Sequence, residues 1–362
     1  MVSMMFAISI FLYLSACNPE PSPAKELGNT STSSTSSTIT IDPNAPTIHF
    51  INREDLRNSQ KVACADLDGD GIDEAIFFDQ DALYWKGNRE PISGSIQVLE
   101  RQKEDGFDSL LIGTGYGKGH KDDPKSLQKL TKNGLETLYT ANGNRNQIAS
   151  IAPHKEGLFL SHFSNGTIVE GGWLKNGEII GRSALNMAVQ QFPLLENPDR
   201  IAIGRLYGDE PKSHGDLRIL DKDQSIFLPT RRGVRALQIV DLNQDGFSDI
   251  LSSDGWHYQY AAQAQARIQA YFGPDFKDIR TLANFDQEYT INSIELHQNG
   301  QSILARGNQG VYLLQQSPWG YKSHFISKVK ESDTAIFCYA PTESYILISG
   351  TPAKLMTVSS LL

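Results

Sequence analysis

The segment VDLNQDGFSDIL, residues 240–251, decides the prediction of the fold. Within nine residues it places four oxygen-bearing side chains: Asp241, Asn243, Asp245 and Asp249. Carboxylates this close repel each other unless a cation lies among them. Ca²⁺ takes six to eight oxygen ligands, and the odd positions of a tightly curled loop can all point inward. The segment therefore predicts a calcium loop.

The predicted ligands of this loop are the side chains of Asp241, Asn243, Asp245 and Asp249 and the backbone carbonyl of Phe247. Gly246 stands where the chain must turn sharply, a position that suits glycine. The loop lacks a glutamate at its twelfth position, because Ile250 and Leu251 already continue as a strand. We therefore expect a calcium loop inside a β-hairpin; the alternative is an acidic turn that binds no metal.

A second copy of the pattern is CADLDGDGIDEAIFF, residues 64–78. Its predicted ligands are Asp66, Asp68, Asp70, the carbonyl of Ile72 and Glu74. Asp73 is adjacent to Glu74, and the sequence leaves open which of these two carboxylates binds. A third segment, KEDGFDSLL (103–111), keeps the Asp-Gly-Phe core but has Arg101 and Lys103 where ligands would be, so we expect no metal there.

The pattern D-x-[DN]-x-D-G-x-x-[DE] followed by apolar residues resembles the FG-GAP/VCBS repeat of integrin-α-type β-propellers. The resemblance covers about twelve residues in each of two places. It implies propeller blades whose first hairpin carries a calcium loop, with two structural Ca²⁺ ions in this chain.

Seven apolar runs support this reading, because each is followed by a turn and a second apolar run. They are KVACADL (61–67), SIQVLER (95–101), NQIASIAP (146–153), MAVQQFPLL (187–195), VRALQIVDL (234–242), TINSIEL (290–296) and TAIFCYAP (334–341). Their irregular spacing centres near the length of a four-stranded blade. The sequence thus predicts an all-β, seven-bladed propeller over residues 46–362, with a β-sandwich as the rival all-β fold.

The segment TIHFI (47–51) is expected to supply the outer strand of the last blade. The segment that follows it, up to the inner strand at 61–67, is similar in form to YKSHFISKVKESDTAIFCYAP (321–341). In both segments a strand that contains His-Phe-Ile leads into an inner strand. A strand donated from the N-terminus would close the ring and remove open sheet edges.

The first 17 residues form a short apolar segment that ends in Leu-Ser-Ala-Cys, which resembles the bacterial lipobox. The resemblance implies a lipoprotein signal peptide with lipid on Cys17, although the segment contains no Lys or Arg; an ordinary signal peptide or a misassigned start is the alternative. In the lipobox pattern, a residue other than Asp after the cysteine, here Asn18, implies delivery to the outer membrane of a Gram-negative bacterium. Residues 18–45, rich in Ser, Thr and Pro, are expected to be a disordered tether.

Two further cysteines, Cys64 and Cys338, occupy near-equivalent places on the inner strands of the first and last blades. In an exported protein they could form a disulfide across the seam of the ring. The alternative is a pair of buried, inert thiols.

Three predicted insertions, 113–126, 204–215 and 253–264, follow the second strands of their blades, on the face opposite the calcium loops. Aromatic side chains and histidines gather there, and loops on a rigid scaffold often carry function. The candidate ligand-binding residues are Tyr116, His120, Tyr207, His214, Trp256 and His257.

The net charge of −9 and the absence of a basic run make nucleic acid an unexpected partner. No G-x-S-x-G, H-E-x-x-H or phosphate-binding loop occurs. The sequence favours a non-enzymatic, membrane-tethered module that recognises a protein or glycan. A propeller enzyme acting on polysaccharide, a lyase or hydrolase using the central channel, is the alternative.

Overall fold

The computed structural model describes residues 48–358 apart from 52–58, 80, 116–123, 142–145, 165–167, 181–182, 185–187, 206–214, 223, 256–264, 319 and 331–332. Residues 44–362 form one compact unit. The described residues consist of strands and their connections, and they include no helix of the length and apolarity that crossing a membrane requires.

The strands form seven small antiparallel sheets, here called blades 1 to 7. Blade 1 contains β2 (Lys61–Ala65), β3 (Glu74–Phe78), β4 (Ala82–Trp85) and β5 (Asn88–Pro91). Blade 2 contains β6 (Ser95–Lys103), β7 (Asp108–Gly115), β8 (Ser126–Thr131) and β9 (Gly134–Thr140). Blade 3 contains β10 (Asn146–His154), β11 (Gly157–Ser164), β12 (Ile168–Lys175), β13 (Glu178–Ile180) and the short β14 (Ser183–Ala184), which pairs with β12.

The remaining blades repeat the same up-and-down order. Blade 4 contains β15 (Ala188–Pro193), β16 (Arg200–Arg205), β17 (Leu217–Asp221) and β18 (Gln224–Leu228). Blade 5 contains β19 (Gly233–Val240), β20 (Asp249–Gly255), β21 (Ala266–Phe272) and β22 (Asp278–Phe285). Blade 6 contains β23 (Ile291–Leu296), β24 (Ser302–Gly307), β25 (Gly310–Ser317) and β26 (Gly320–Lys328).

Blade 7 combines strands from both ends of the propeller segment. Its strands are β27 (Ala335–Tyr339), β28 (Ser344–Ile348), β29 (Lys354–Val358) and β1 (Ile48–Ile51). The sheet order is β1-β29-β28-β27, and β1 pairs antiparallel with β29 from Ile48 opposite Val358 to Ile51 opposite Leu355. All seven first strands begin within two residues of the runs from which the sequence predicted them.

The ring follows from how neighbouring blades pack. Buried apolar side chains of the described residues form seven clusters, and each cluster joins two adjacent blades. One of them joins blade 7 to blade 1 through Val62, Phe77, Leu347 and Leu355. Because the seven interfaces connect the seven blades in a cycle, the fold is a seven-bladed β-propeller, as the sequence predicted.

The second strand of a blade is much more buried than the outer strand. Every residue of β7 is buried, whereas the outer strand β18 is exposed at four of its five positions. Second strands lie between two neighbouring sheets and therefore need apolar residues on both faces. Outer strands pack on fewer neighbours, which explains their polar sequences.

A disulfide links the two blades where the ring closes. The structure joins Cys64 on β2 to Cys338 on β27, with Cα atoms 5.3 Å apart and a sequence separation of 274 residues. Both residues are buried in the cluster between blades 7 and 1. The sequence allowed either a disulfide between these two cysteines or two buried free thiols. The structure contains the disulfide.

Candidate functional site

Two loops with the predicted calcium pattern occupy the same place in two blades. Loop A, residues 66–74, connects β2 to β3 in blade 1, and loop B, residues 241–249, connects β19 to β20 in blade 5. Both run between the first and second strands, so both lie at the same end of the propeller. The flanking strands pair in register up to the loop, with Ala65 opposite Glu74 and Val240 opposite Asp249.

The first aspartate organises each loop by accepting backbone N–H groups. In loop A, Asp66 Oδ1 accepts from Gly69 (2.8 Å) and Asp70 (3.1 Å), and Oδ2 accepts from Gly71 (2.9 Å). In loop B, Asp241 accepts the equivalent bonds from Asp245 (3.0 Å) and Gly246 (2.9 Å).

The fifth position repeats this equivalence. Asp70 Oδ1 accepts the N–H of Ile72 at 2.8 Å, and Asp245 Oδ1 accepts that of Phe247 at 2.9 Å. Two sequences that differ at several positions therefore adopt one hydrogen-bonded loop conformation.

The ninth position is filled by Glu74 in loop A and by Asp249 in loop B. Glu74 Oε2 accepts the N–H of Leu67 at 2.7 Å, and Asp249 Oδ2 accepts that of Leu242 at 2.8 Å. Both side chains are buried, and burial raises the pKa of each carboxyl above its ordinary value. Of the two adjacent carboxylates in loop A, Glu74 is thus the one that turns into the loop.

Asp73 instead turns away from the loop and holds the neighbouring blades together. Its N–H donates to the carbonyl of Tyr339 in blade 7, and its carboxylate accepts the Tyr339 N–H at 2.7 Å. The same carboxylate forms a two-point ion pair with Arg101 of blade 2, at 2.6 and 2.7 Å. Ser248 occupies this eighth position in loop B, and its side chain likewise bonds to blade 4, at Leu195 N–H and Glu196.

Loop A also contacts residues 103–111 of blade 2, the segment that keeps part of the calcium pattern but was not expected to bind a metal. Asp108 N–H donates to the carbonyl of Asp66 at 2.6 Å, and Asp108 Oδ2 accepts the Asp66 N–H at 3.1 Å. Gly69 approaches so closely that an added Cβ would lie 2.2 Å from the carbonyl oxygen of Gly106, and its φ is +79°. Glycine is therefore required here for contact as well as for turning. Arg101, which stands where the pattern of the third segment would need a ligand, ion-pairs with both Asp73 and Asp108.

Lys86 contacts loop A, although no sequence pattern indicated it. It lies in the tight turn between β4 and β5, and its ammonium group reaches into the loop. It hydrogen-bonds to Asp68, lies 2.8 Å from Glu74 Oε1 and lies 4.0 Å from Asp70 Oδ2. These bonds lower the pKa of Asp68 and raise the pKa of Lys86.

Both loops offer oxygen atoms of the kind that a hard cation binds, but the two loops differ in how many of these oxygens are already hydrogen-bonded to the backbone. In loop A, oxygens of Asp66, Asp68 and Glu74 lie within 4.8 Å of one another. In loop B, both carboxylate oxygens of Asp249 accept hydrogen bonds from backbone N–H groups: Oδ2 from Leu242 and Oδ1 from Gly273 at 2.9 Å. The other side chains of loop B, Asp241, Asn243 and Asp245, offer carboxylate and amide oxygens, which Ca²⁺ accepts.

A second acidic pair lies on the first strands of blades 2 and 6. Glu100 of β6 and Glu295 of β23 are half-buried, and the surrounding protein excludes enough water to raise the pKa of each to about 8. The like charge of Glu295 raises the pKa of Glu100 further. Glu295 Oε2 accepts the N–H of Phe337 at 3.0 Å. No local sequence motif marks either residue, so neither was predicted as part of a site.

This pair predicts a pH-dependent stability. A folded-state pKa raised above the ordinary value of about 4.3 favours the protonated carboxyl, so its contribution is full below about pH 4 and is lost as pH rises through about 8. We expect Glu100→Gln to melt at a higher temperature than wild type at pH 9 and at a similar temperature at pH 5. Thermal unfolding at both pH values measures this, with exposed Glu136→Gln as the control. A difference that does not grow with pH would contradict it.

The candidate ligand-binding residues Tyr116, His120, Tyr207, His214, Trp256 and His257 lie outside the described residues. The chain segments that contain them connect β7 to β8, β16 to β17 and β20 to β21. Each of these connections runs between a second and a third strand, so all three leave the sheets at the end opposite loops A and B. The predicted signal peptide with Cys17 and the predicted tether, residues 18–45, also lie outside the described residues.

The fold defines the class: the chain is a seven-bladed β-propeller. Among solved structures, it is similar to a chain in the crystal structure of the mitotic checkpoint complex. The identity is 11%, the TM-score is 0.51, and the match covers 86% of this chain and 94% of that one. At this identity the likeness concerns the fold alone. No family model matches the chain, and no curated protein matches it.

Proposed function

We propose that this chain is a calcium-stabilised binding propeller, tethered to a bacterial membrane, that recognises a protein or glycan without catalysing a reaction. The observation that carries the calcium part is the shared hydrogen-bonded conformation of loops A and B. Each loop gathers several carboxylates and no basic residue of its own, and a bound Ca²⁺ would offset much of their mutual repulsion. Asp66, Asp68, Asp70, Glu74 and the Ile72 carbonyl would hold one ion in loop A.

Asp241, Asn243, Asp245, Asp249 and the Phe247 carbonyl would hold the second ion in loop B. The metal would have a structural role in both places, because each loop connects the first two strands of a blade and bonds to a neighbouring blade. In this proposal calcium stabilises the scaffold and does not contact the ligand.

The binding part of the proposal rests on the opposite end of the propeller. Three long connections leave that end, while the corresponding connections of blades 1 and 6 are short, 79–81 and 308–309. Long loops that carry Tyr and Trp on a rigid scaffold are suited to recognition. The N-terminal segment supplies the tether; labelling with a fatty-acid probe of wild type but not of Cys17→Ser tests that anchor.

The binding proposal predicts a difference between the two ends of the molecule. Glycan-array and pull-down screening of the chain, with calcium present, first supplies a ligand. Trp256→Ala is then expected to weaken binding at least roughly tenfold with the fold retained, because interface energy concentrates in a few aromatic anchors. Asp245→Ala is expected to act on stability and to leave the affinity of the folded protein unchanged. If Asp245→Ala loses binding while folded and Trp256→Ala does not, the ligand binds at the end that carries loops A and B, and the proposal is contradicted.

A further inference from the structure

Loop A has a cation beside it in the same blade. The ammonium of Lys86 contacts Asp68 and Glu74 and lies near Asp70, which are three of the side chains that a metal in this loop would need. The Glu74 side chain is only 2% exposed, so Lys86 neutralises a carboxylate that has little water around it. An ammonium group and a Ca²⁺ ion cannot occupy this place together.

Loop B differs at the equivalent position. The turn that follows the third strand of blade 5 contributes the N–H of Gly273, which donates to Asp249 Oδ1 at 2.9 Å, where Lys86 contacts Glu74 Oε1 in loop A. The lysine of that turn, Lys277, pairs with Asp275 at 3.0 Å instead. Among the residues that the structure describes, no lysine or arginine forms an ion pair with Asp241, Asp245 or Asp249.

The position of Lys86 would allow its ammonium group to move out of loop A. It sits at the tip of a two-residue turn, with a positive φ of 42° followed by Gly87 at 82°, and 44% of its side chain is exposed. Its ammonium contacts are with the loop carboxylates, so rotation of its flexible side chain would move the charge into solvent. Displacement would therefore require no rearrangement of the sheet.

We propose that Lys86 is a built-in competitor for calcium, which makes loop A the weaker of two metal sites. At low calcium the ammonium offsets part of the negative charge of loop A, while loop B has no internal substitute among the described residues. At higher calcium the ion displaces Lys86, so a cation offsets part of the loop's negative charge at both calcium levels. This inference rests on the proposal that the loops bind calcium, and it assigns the two loops different calcium ranges.

Calcium titration by calorimetry of the full chain tests this, with Asp245→Ala used to isolate loop A. We expect the additional change Lys86→Met to tighten the remaining site at least tenfold. The matched control Lys277→Met, on the same background, should leave the affinity unchanged. Equal affinities with and without the Lys86→Met change would overturn the inference while leaving the calcium proposal intact. Absence of calcium binding in every variant would overturn both.

A second measurement covers the case in which the Asp245→Ala background does not fold. In otherwise wild-type protein, Lys86→Met is expected to lower the melting temperature in chelator and to recover it in saturating calcium. The reason is that calcium can replace the lost positive charge. A lysine with only a packing role would give the same loss in both buffers, and that result would overturn the inference.

Discussion

Replacing both Cys64 and Cys338 with alanine is expected to lower the free energy of unfolding by roughly 2–5 kcal/mol. The bond joins residues 274 positions apart, so its loss restores a large amount of chain entropy to the unfolded state. It also frees the interface between blades 7 and 1, where the two ends of the propeller segment meet. The effect should appear as separation of the first blade from the last.

Chemical denaturation of wild type and the double variant, each with and without a thiol reductant, measures this effect. Reductant should destabilise the wild type and leave the variant unchanged, which separates the lost cross-link from the small cavities that alanine leaves. A wild type whose denaturation midpoint does not respond to reductant under fully reducing conditions would contradict the prediction.

Withdrawing calcium is expected to have the second large effect. A ligand at about 100 times its dissociation constant stabilises the folded state by about 2.7 kcal/mol, so two filled loops would contribute roughly twice that. Chelator should therefore lower the melting temperature markedly at neutral pH. Asp245→Ala should remove more than half of the calcium-dependent gain, because only loop A, where Lys86 competes with the ion, remains.

Thermal unfolding in chelator and in millimolar calcium checks this, with Asp278→Ala as the control. Asp278 is exposed and pairs with Arg280 on an outer strand, and among the described residues its side-chain bonds involve no residue of either loop. Its replacement should leave the difference between the two buffers unchanged. A melting temperature that is the same in chelator and in calcium would show that the loops are acidic turns without a metal.

The fold could be predicted because it is repeated. Each blade presents an apolar run, a turn and a second apolar run, and seven such units leave little choice of architecture once two of them contain a recognisable hairpin loop. The first strands of the blades begin within two residues of the apolar runs in the sequence. The outer strands were harder to assign, because β5 and β18 are short and polar.

The details of the site depend on contacts that sequence spacing does not encode. Asp73 and Glu74 both carry a carboxylate that could bind a cation, so the sequence alone does not distinguish them. Their packing does, because Asp73 contacts Arg101 and Tyr339 whereas Glu74 points into the loop. Lys86 follows the loop by 12 residues and reaches it because two turns of one blade share an end. That contact could have been anticipated from the blade topology, although not from the calcium pattern.

Other supports come from neighbouring blades. Asp108 and Glu196 bond to loops A and B across blade interfaces, and they belong to segments with no complete metal pattern. Such contacts follow from the twist and packing of adjacent sheets. A single sequence gives no signal for them.

The most direct test of the calcium account is a crystal structure of the propeller grown in millimolar calcium, with anomalous scattering to locate the ion. The account predicts an ion in loop A and another in loop B, each with six to eight oxygen ligands at about 2.3–2.6 Å. Lys86 should then point into solvent. Loops without an anomalous peak, with Lys86 still bonded to Asp68 and Glu74, would contradict the account.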